Sequence, residues 1–269
     1  MLDALINYSF LRNALLAGLL ASIICGMIGV IITEKKLLIM SGGISHTAYG
    51  GVGLGYLLGF EPILGAALFS VASALIIGAV RRKNASKSET VISLLWSSGM
   101  ALGIGFTGLM PAYPPDMNSY LFGNILAVTR LDLYIMIPLT IIVSFVVVSL
   151  FNDWKAFLFD SGFAKISGIK TAFLEYLLLI LTALCIVALI RVVGIILVIA
   201  LLSAPAACAA LLSKTLKNRI IIAILFSAAF CIIGLTISYY SGIASGAAIV
   251  FISVLTYFLM ILIKKLRSR

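Results

Sequence analysis

The sequence predicts an all-α fold, a polytopic transmembrane helical bundle of about nine spans, and three observations carry that expectation. Of the 269 residues, 63% are hydrophobic and only 10% charged, with a mean hydropathy of +1.24. A soluble globule must cover itself with polar groups and cannot carry that apolar surplus. The apolar residues gather in uninterrupted runs of roughly 20, the length a helix needs to cross the hydrocarbon of a bilayer. A membrane β-barrel would show short alternating segments instead. Finally, the basic residues lie in short clusters between the runs, as loops on one side of a membrane do.

The expected spans are Phe10–Thr33, Leu38–Gly59, Pro62–Val80, Thr90–Met110, Leu133–Phe151, Ala172–Ile190, Val192–Leu212, Ile220–Tyr240 and Ser245–Ile263. The N-terminal stretch MLDALINYSFLRNALLAG has neither a basic n-region nor a small-residue cleavage site, so the first run reads as a retained helix. Lys35-Lys36 divides the first span from the second, and Arg81-Arg82-Lys83 with Lys87 divides the third from the fourth. Three prolines between Pro111 and Pro115 close the fourth. Lys155 to Lys170 follow the fifth, Lys214 to Arg219 follow the seventh, and Lys264 to Arg269 follow the ninth. Eight spans result if the first lies in the interface or two runs form one broken unit.

These clusters take every basic residue except Arg12, Arg130 and Arg191. By the positive-inside rule they face the cytoplasm, which leaves the N-terminus outside and the C-terminus inside. The net charge of +10 is therefore a topology signal and not a nucleic-acid footprint. The expectation is a multi-pass protein of a bacterial-type cell membrane, in contact with lipid, and a single permease-like domain over 1–269. Cys25, Cys185, Cys208 and Cys231 all lie in apolar runs without a C-x-x-C pair, and read as inert packing residues.

The second span, LIMSGGISHTAYGGVGLGYLLG, holds the single histidine, His46. An ionisable side chain in hydrocarbon normally faces protein interior or a water-filled path. Gly42, His46, Gly50 and Gly53 share one helical face. That face could pass a small hydrophilic solute such as a metal ion, or it could serve close helix packing with His46 bonded to a neighbour. Candidate path residues are Gly42, Ser45, Tyr49 and Gly50 here, Ser98 in the fourth span, and Ser203 beside Pro205 in the seventh, where a freed carbonyl can be met by a cavity. Met100, Met110 and Met117 read as packing residues.

Two connections are long. Pro111 to Asp132 faces outward, and its apolar Tyr120–Val128 portion is too short to span, so a re-entrant or interfacial turn is expected. Asp116 here, with Glu61, supplies acidic groups on the outer side. The cytoplasmic NDWKAFLFDSGFAKISGIK (152–170) reads as a short amphipathic helix capped at Gly168. It could lie on lipid or insert into a partner's groove. No Walker A loop, H-E-x-x-H or G-x-S-x-G occurs, and mid-span acids are lacking. The chain is expected neither to hydrolyse ATP nor to harvest an ion gradient alone, so energy should come from a partner.

Six ordered blocks then carry a resemblance: FLRNALLAGLLASIICGMIG (10–29), GGISHTAYGGVGLG (42–55), SETVISLLWSSGMALGI (88–104), DMNSYLFGNILAVTRLDL (116–133), FDSGFAKISGI (159–169) and VGIILVIALLSAPAACAALL (193–212). Over nearly its full length the chain resembles the permease subunit of metal-type ABC importers, for manganese, zinc or iron. The resemblance implies a second copy of the chain, two cytoplasmic ATPase subunits that bind the ATP, and an extracytoplasmic substrate-binding protein. It implies no cofactor in this chain and a divalent metal ion as cargo. It makes FDSGFAKISGI the helix that couples to the ATPase, with Asp160, Phe163, Ala164 and Gly168 matching residue for residue. Many members place an aspartate four residues before the histidine, where this chain has Gly42. A lone imidazole is a poor cage for a divalent ion, so carboxylates would come from Asp116 or Glu61, or binding along the path is weak, as passage allows. The alternatives are a permease for a chelated metal or other bulky solute, and a self-contained secondary carrier.

Overall fold

Leu38–Leu58 is the most glycine-rich helix of the bundle, and its glycines decide how its neighbours pack. The computed structural model describes residues 8–111, 118–123 and 125–267. Its helices are α1 Ser9–Glu34, α2 Leu38–Leu58, α3 Pro62–Lys83, α4 Ala85–Gly108, α5 Asn118–Phe122, α6 Arg130–Ser149, α7 Phe151–Phe159, α8 Ser161–Ile166, α9 Thr171–Leu212, α10 Leu216–Ser241 and α11 Ser245–Arg267, with a 3-10 turn at Ile125–Ala127. The described residues contain no strand.

Local chemistry sets the boundaries. Gly59, at φ 74°, ends α2, and the Phe60 N–H closes back on the Gly55 carbonyl at 3.0 Å. Pro62 then opens α3, where its missing N–H leaves nothing unpaired. Arg81, Arg82 and Lys83 sit in the last turn of α3, complementing the negative end of its dipole. Asn84 caps α4 by accepting from the Ser86 N–H. Thr129 and Asp132 form a reciprocal capping box at the start of α6, three residues ahead of the expected Leu133.

Among the described residues, seven helices are long and apolar enough to cross a membrane: α1, α3, α4, α6, α9, α10 and α11. Nine were expected from the sequence, and the difference lies in two places. Glycines, hydroxyls and His46 lower the hydropathy of α2. The expected sixth and seventh spans stay joined as the 42-residue α9, whose break is at Gly194 and not at Arg191. At a rise of about 1.5 Å per residue α9 would measure about 63 Å, twice a hydrocarbon core. Gly194 has φ 79° and ψ 162°, a conformation essentially reserved for glycine. The break is also a docking point. A Cβ on Gly194 would collide with the Gly123 backbone, and one on Gly246 would lie 2.6 Å from the Phe122 carbonyl oxygen.

The core runs along α9 and α1, the most buried of these seven, with 72% and 67% of an 18-residue apolar stretch inside the protein. They approach closely where Gly29 meets the Leu202 backbone, and Gly26 does the same against Ile224 of α10. The least buried spans are α4, at 17%, and α11, at 22%. All four cysteines are buried thiols without a disulfide, as expected of packing residues.

Candidate functional site

His46 lies eight residues into α2, which runs beside α3 on one flank and α4 on the other. The contacts follow the glycines. A Cβ on Gly50 would lie 2.9 Å from the Gly99 carbonyl oxygen, and one on Gly53 would lie 2.7 Å from that of Gly103. On the other flank Gly51 and Gly65 meet backbone to backbone. Thr47 ties α2 to α4 further, its hydroxyl donating to the Gly43 carbonyl of its own helix and the Leu95 carbonyl of α4 at 2.7 and 3.2 Å. Gly42 and Gly50 thus serve close packing of α4 on α2.

Beside this seam the His46 imidazole stacks on Trp96 of α4, with ring centres 4.2 Å apart and planes 17° from parallel. Its Nδ1 is buried with no hydrogen-bond partner. The same indole covers Gly42, where a Cβ would sit 2.6 Å from the Trp96 Cζ3. The sequence offered no periodic sign of Trp96, since contact across two helices is invisible in one. Ser45 is fully buried and donates to the Ser41 carbonyl at 2.7 Å. Tyr49 is buried one turn beyond His46, its ring against Gly103. Ser98 lies on the exposed side of α4 and donates to Leu95 at 3.2 Å. Ser203 is half-buried on the second part of α9, bonded to the Ile199 carbonyl at 2.8 Å.

Among the described residues, carboxylates do not gather at His46. Glu61 follows the end of α2, about 20 Å along the axis from His46, and pairs with Arg191 at 3.1 Å. Arg191 also holds Asp132 at 2.7 Å, so one guanidinium links the starts of α3 and α6 to the middle of α9. Asp116 lies outside the described residues. Among those described, no group of three His, Cys, Asp or Glu could hold a metal ion.

After α6 the expected single amphipathic helix is two helices, α7 and α8, broken at Asp160. Extended backbone there lets the Asp160 carboxylate accept from the Gly162 and Phe163 N–H groups at 2.7 and 3.1 Å, capping α8. Ala164 is fully buried, which seats the helix. Gly168, at φ 83°, turns the chain away after it. Trp154 and Phe157 point inward, and Phe157 lies under the Lys35 ammonium at 3.7 Å. Burial and the nearby Arg81 push the Lys35 ammonium below the ordinary lysine range, against the pull of Glu175 and Asp160. Phe159, Phe163 and Ile166 remain 91%, 62% and 88% exposed. A groove of about 410 Å³ beside them is lined by Lys35, Arg81, Arg82, Lys165 and Glu175, among others. Phe159 and Ile166 were not singled out as partner contacts from the sequence. Their exposure depends on the break at Asp160, which helical periodicity conceals.

Comparison with known proteins gives a consistent likeness. A model of the ABC 3 transport family matches residues 7–264. The manganese transport system membrane protein MntC of Listeria monocytogenes is 38% identical over 261 residues, which are 97% of this chain and 93% of that one. The probable iron transport system membrane protein of Haemophilus influenzae is 31% identical over 265 residues, 98% of this chain and 97% of that one. The structure of PsaBC from Streptococcus pneumoniae in complex with Fab matches with a TM-score of 0.86 at 33% identity, covering 96% of this chain and 93% of that one.

Proposed function

The chain belongs to the ABC 3 transport family, and we propose that it is the membrane-spanning permease subunit of an ATP-driven importer of divalent metal ions, manganese, zinc or iron. The observation that carries this beyond family membership is the cytoplasmic hook. Three large apolar side chains, Phe159, Phe163 and Ile166, stand exposed on and beside a short helix whose cap, seat and exit turn are fixed by Asp160, Ala164 and Gly168. Aromatic anchors of this kind dominate protein interfaces. Their partner would be a separate ATPase subunit, one for each of two copies of this chain, and the chain itself is not an enzyme.

The second copy is supported by α4. It is the least buried span, yet its exposed side carries Thr90, Ser93, Ser97 and Ser98. A hydroxyl-bearing face suits contact with protein or water better than contact with lipid. Two copies facing each other through α4 would enclose His46 and Trp96 near a shared path, with Ser45, Tyr49, Ser98 and Ser203 nearby. Nine crossings fit this arrangement. α2 crosses between Lys35-Lys36 and Glu61, and α9 crosses twice, before and after Gly194. The N-terminus is then outside, the C-terminus in the cytoplasm, and the whole chain one permease domain. An external binding protein delivers the ion, and ATP binding in the partner moves α8, closing the path on one side of His46 and opening it on the other.

The test is ATP-driven uptake in proteoliposomes holding the chain, its ATPase and its binding protein, with manganese, zinc and iron supplied in turn. Uptake that needs ATP and all three proteins supports the assignment. Uptake by the chain alone, driven by an ion gradient, would replace it with a secondary carrier.

A further inference from the structure

Every carboxylate described in or beside a span is already engaged or remote from His46. Glu34 pairs with Arg219, Glu61 and Asp132 with Arg191, and Glu175 with Arg81. Glu89 stands at the cytoplasmic start of α4, two turns before Trp96. Helix α2 contains no acid at all. The position one turn before His46 is Gly42, and the Trp96 indole fills the space its side chain would need. The imidazole is therefore covered by an aromatic plane on one face, and the residue as a whole is half-buried.

We propose that Trp96 is a positioning and specificity-determining residue of the ion path, bracing His46 so that a passing ion meets an imidazole nitrogen with none of the described carboxylates beside it, a contact that favours imidazole-seeking ions such as zinc over oxygen-seeking ions such as manganese. The chemistry is that of ligand type. Imidazole suits zinc, iron, copper and nickel, whereas carboxylate and water suit manganese and magnesium. A face-to-face stack at 4.2 Å restricts rotation of the imidazole ring, the orienting role that hydrogen-bond partners play for other metal-binding histidines. Gly42 is the other half of the device, because the stack in this position is incompatible with any side chain at 42. This inference rests on the importer assignment above.

The experiment is competitive uptake of zinc and manganese by the reconstituted complex, with one binding protein throughout, read as a ratio within each vesicle preparation. A ratio is insensitive to how much complex folds. Trp96→Phe, which keeps a stacking ring, should hold the wild-type ratio. Trp96→Ala should shift it severalfold toward manganese, and Gly42→Asp combined with Trp96→Ala should shift it further. Gly42→Asp alone, set against the indole, should lose uptake of both ions. Trp96→Leu gives bulk without a ring and should shift the ratio as Ala does, which keeps the test open if the Ala variant fails to assemble. An unchanged ratio in Trp96→Ala or Trp96→Leu would overturn the proposal. So would loss of all uptake in both, which would make the indole a packing residue. Absence of ATP-driven uptake by the wild-type complex would instead strike the importer assignment itself.

Discussion

Asp160 and Phe163 stand in a fixed relation: the Asp160 carboxylate accepts the Phe163 backbone N–H at 3.1 Å, and that bond helps set the helix from which the Phe163 ring projects into solvent. The two residues do different work. Asp160 holds the local fold, and Phe163 presents the surface.

Replacement of each should therefore fail differently. Phe163→Ala removes an exposed anchor and should weaken association with the ATPase by about 2 kcal/mol while leaving permease stability unchanged. Asp160→Ala removes a cap worth about 1 kcal/mol and should loosen α8 itself. Co-purification with the ATPase, alongside thermal stability of the isolated permease, separates the two. Wild-type co-purification of the Phe163→Ala variant would remove the ring from the interface.

The Arg191 ion cluster predicts an asymmetry. Asp132 keeps only 6% of its side-chain surface and Glu61 keeps 58%, yet both lean on Arg191. Arg191→Ala would leave a nearly buried carboxylate without its partner, a loss of about 3 kcal/mol. Glu61→Gln disturbs an exposed pair and should change stability by less than about 1 kcal/mol. Thermal unfolding in detergent gives the comparison, and equal effects would contradict it.

Gly194 and Gly123 predict a second contrast. Both have positive φ and meet backbone to backbone, so Ala at either position should reduce the folded, monodisperse yield severalfold. Gly105 has open space around its Cβ position, and Gly105→Ala should be neutral. Size-exclusion profiles of the three variants decide it.

The arrangement of sides is open to direct labelling. In a cysteine-free background, Ser161→Cys should react with an impermeant thiol reagent only from the cytoplasmic side, and Leu109→Cys only from outside. Reaction of both from outside would invert the topology and remove α8 from any ATPase.

Much of the bundle was legible because membrane spans are written in hydropathy, and the tight turns in glycine and proline. Gly59, Pro62 and Gly168 mark their boundaries openly. The break in α9 was displaced from Arg191 to Gly194, because a charge suggests a span end while the backbone turns where a residue can adopt φ 79°. The glycines of α2 were ambiguous in sequence, since small residues suit a path and a seam equally. Only the neighbouring helix shows that Gly50 and Gly53 form a seam with Gly99 and Gly103. Trp96 and the Arg191 cluster were hidden for the same reason: each joins residues far apart in the chain.

The central claim is that a metal ion passes His46, and one measurement tests it most directly: ATP-driven metal uptake by a reconstituted complex carrying His46→Gln. Glutamine retains hydrogen-bonding capacity and loses the imidazole. The account predicts normal assembly with the ATPase, normal basal hydrolysis, and uptake reduced about tenfold or more at limiting metal. Wild-type uptake by that assembled complex across the same metal range would contradict it, and would leave His46 as a residue that only packs α2 against α4.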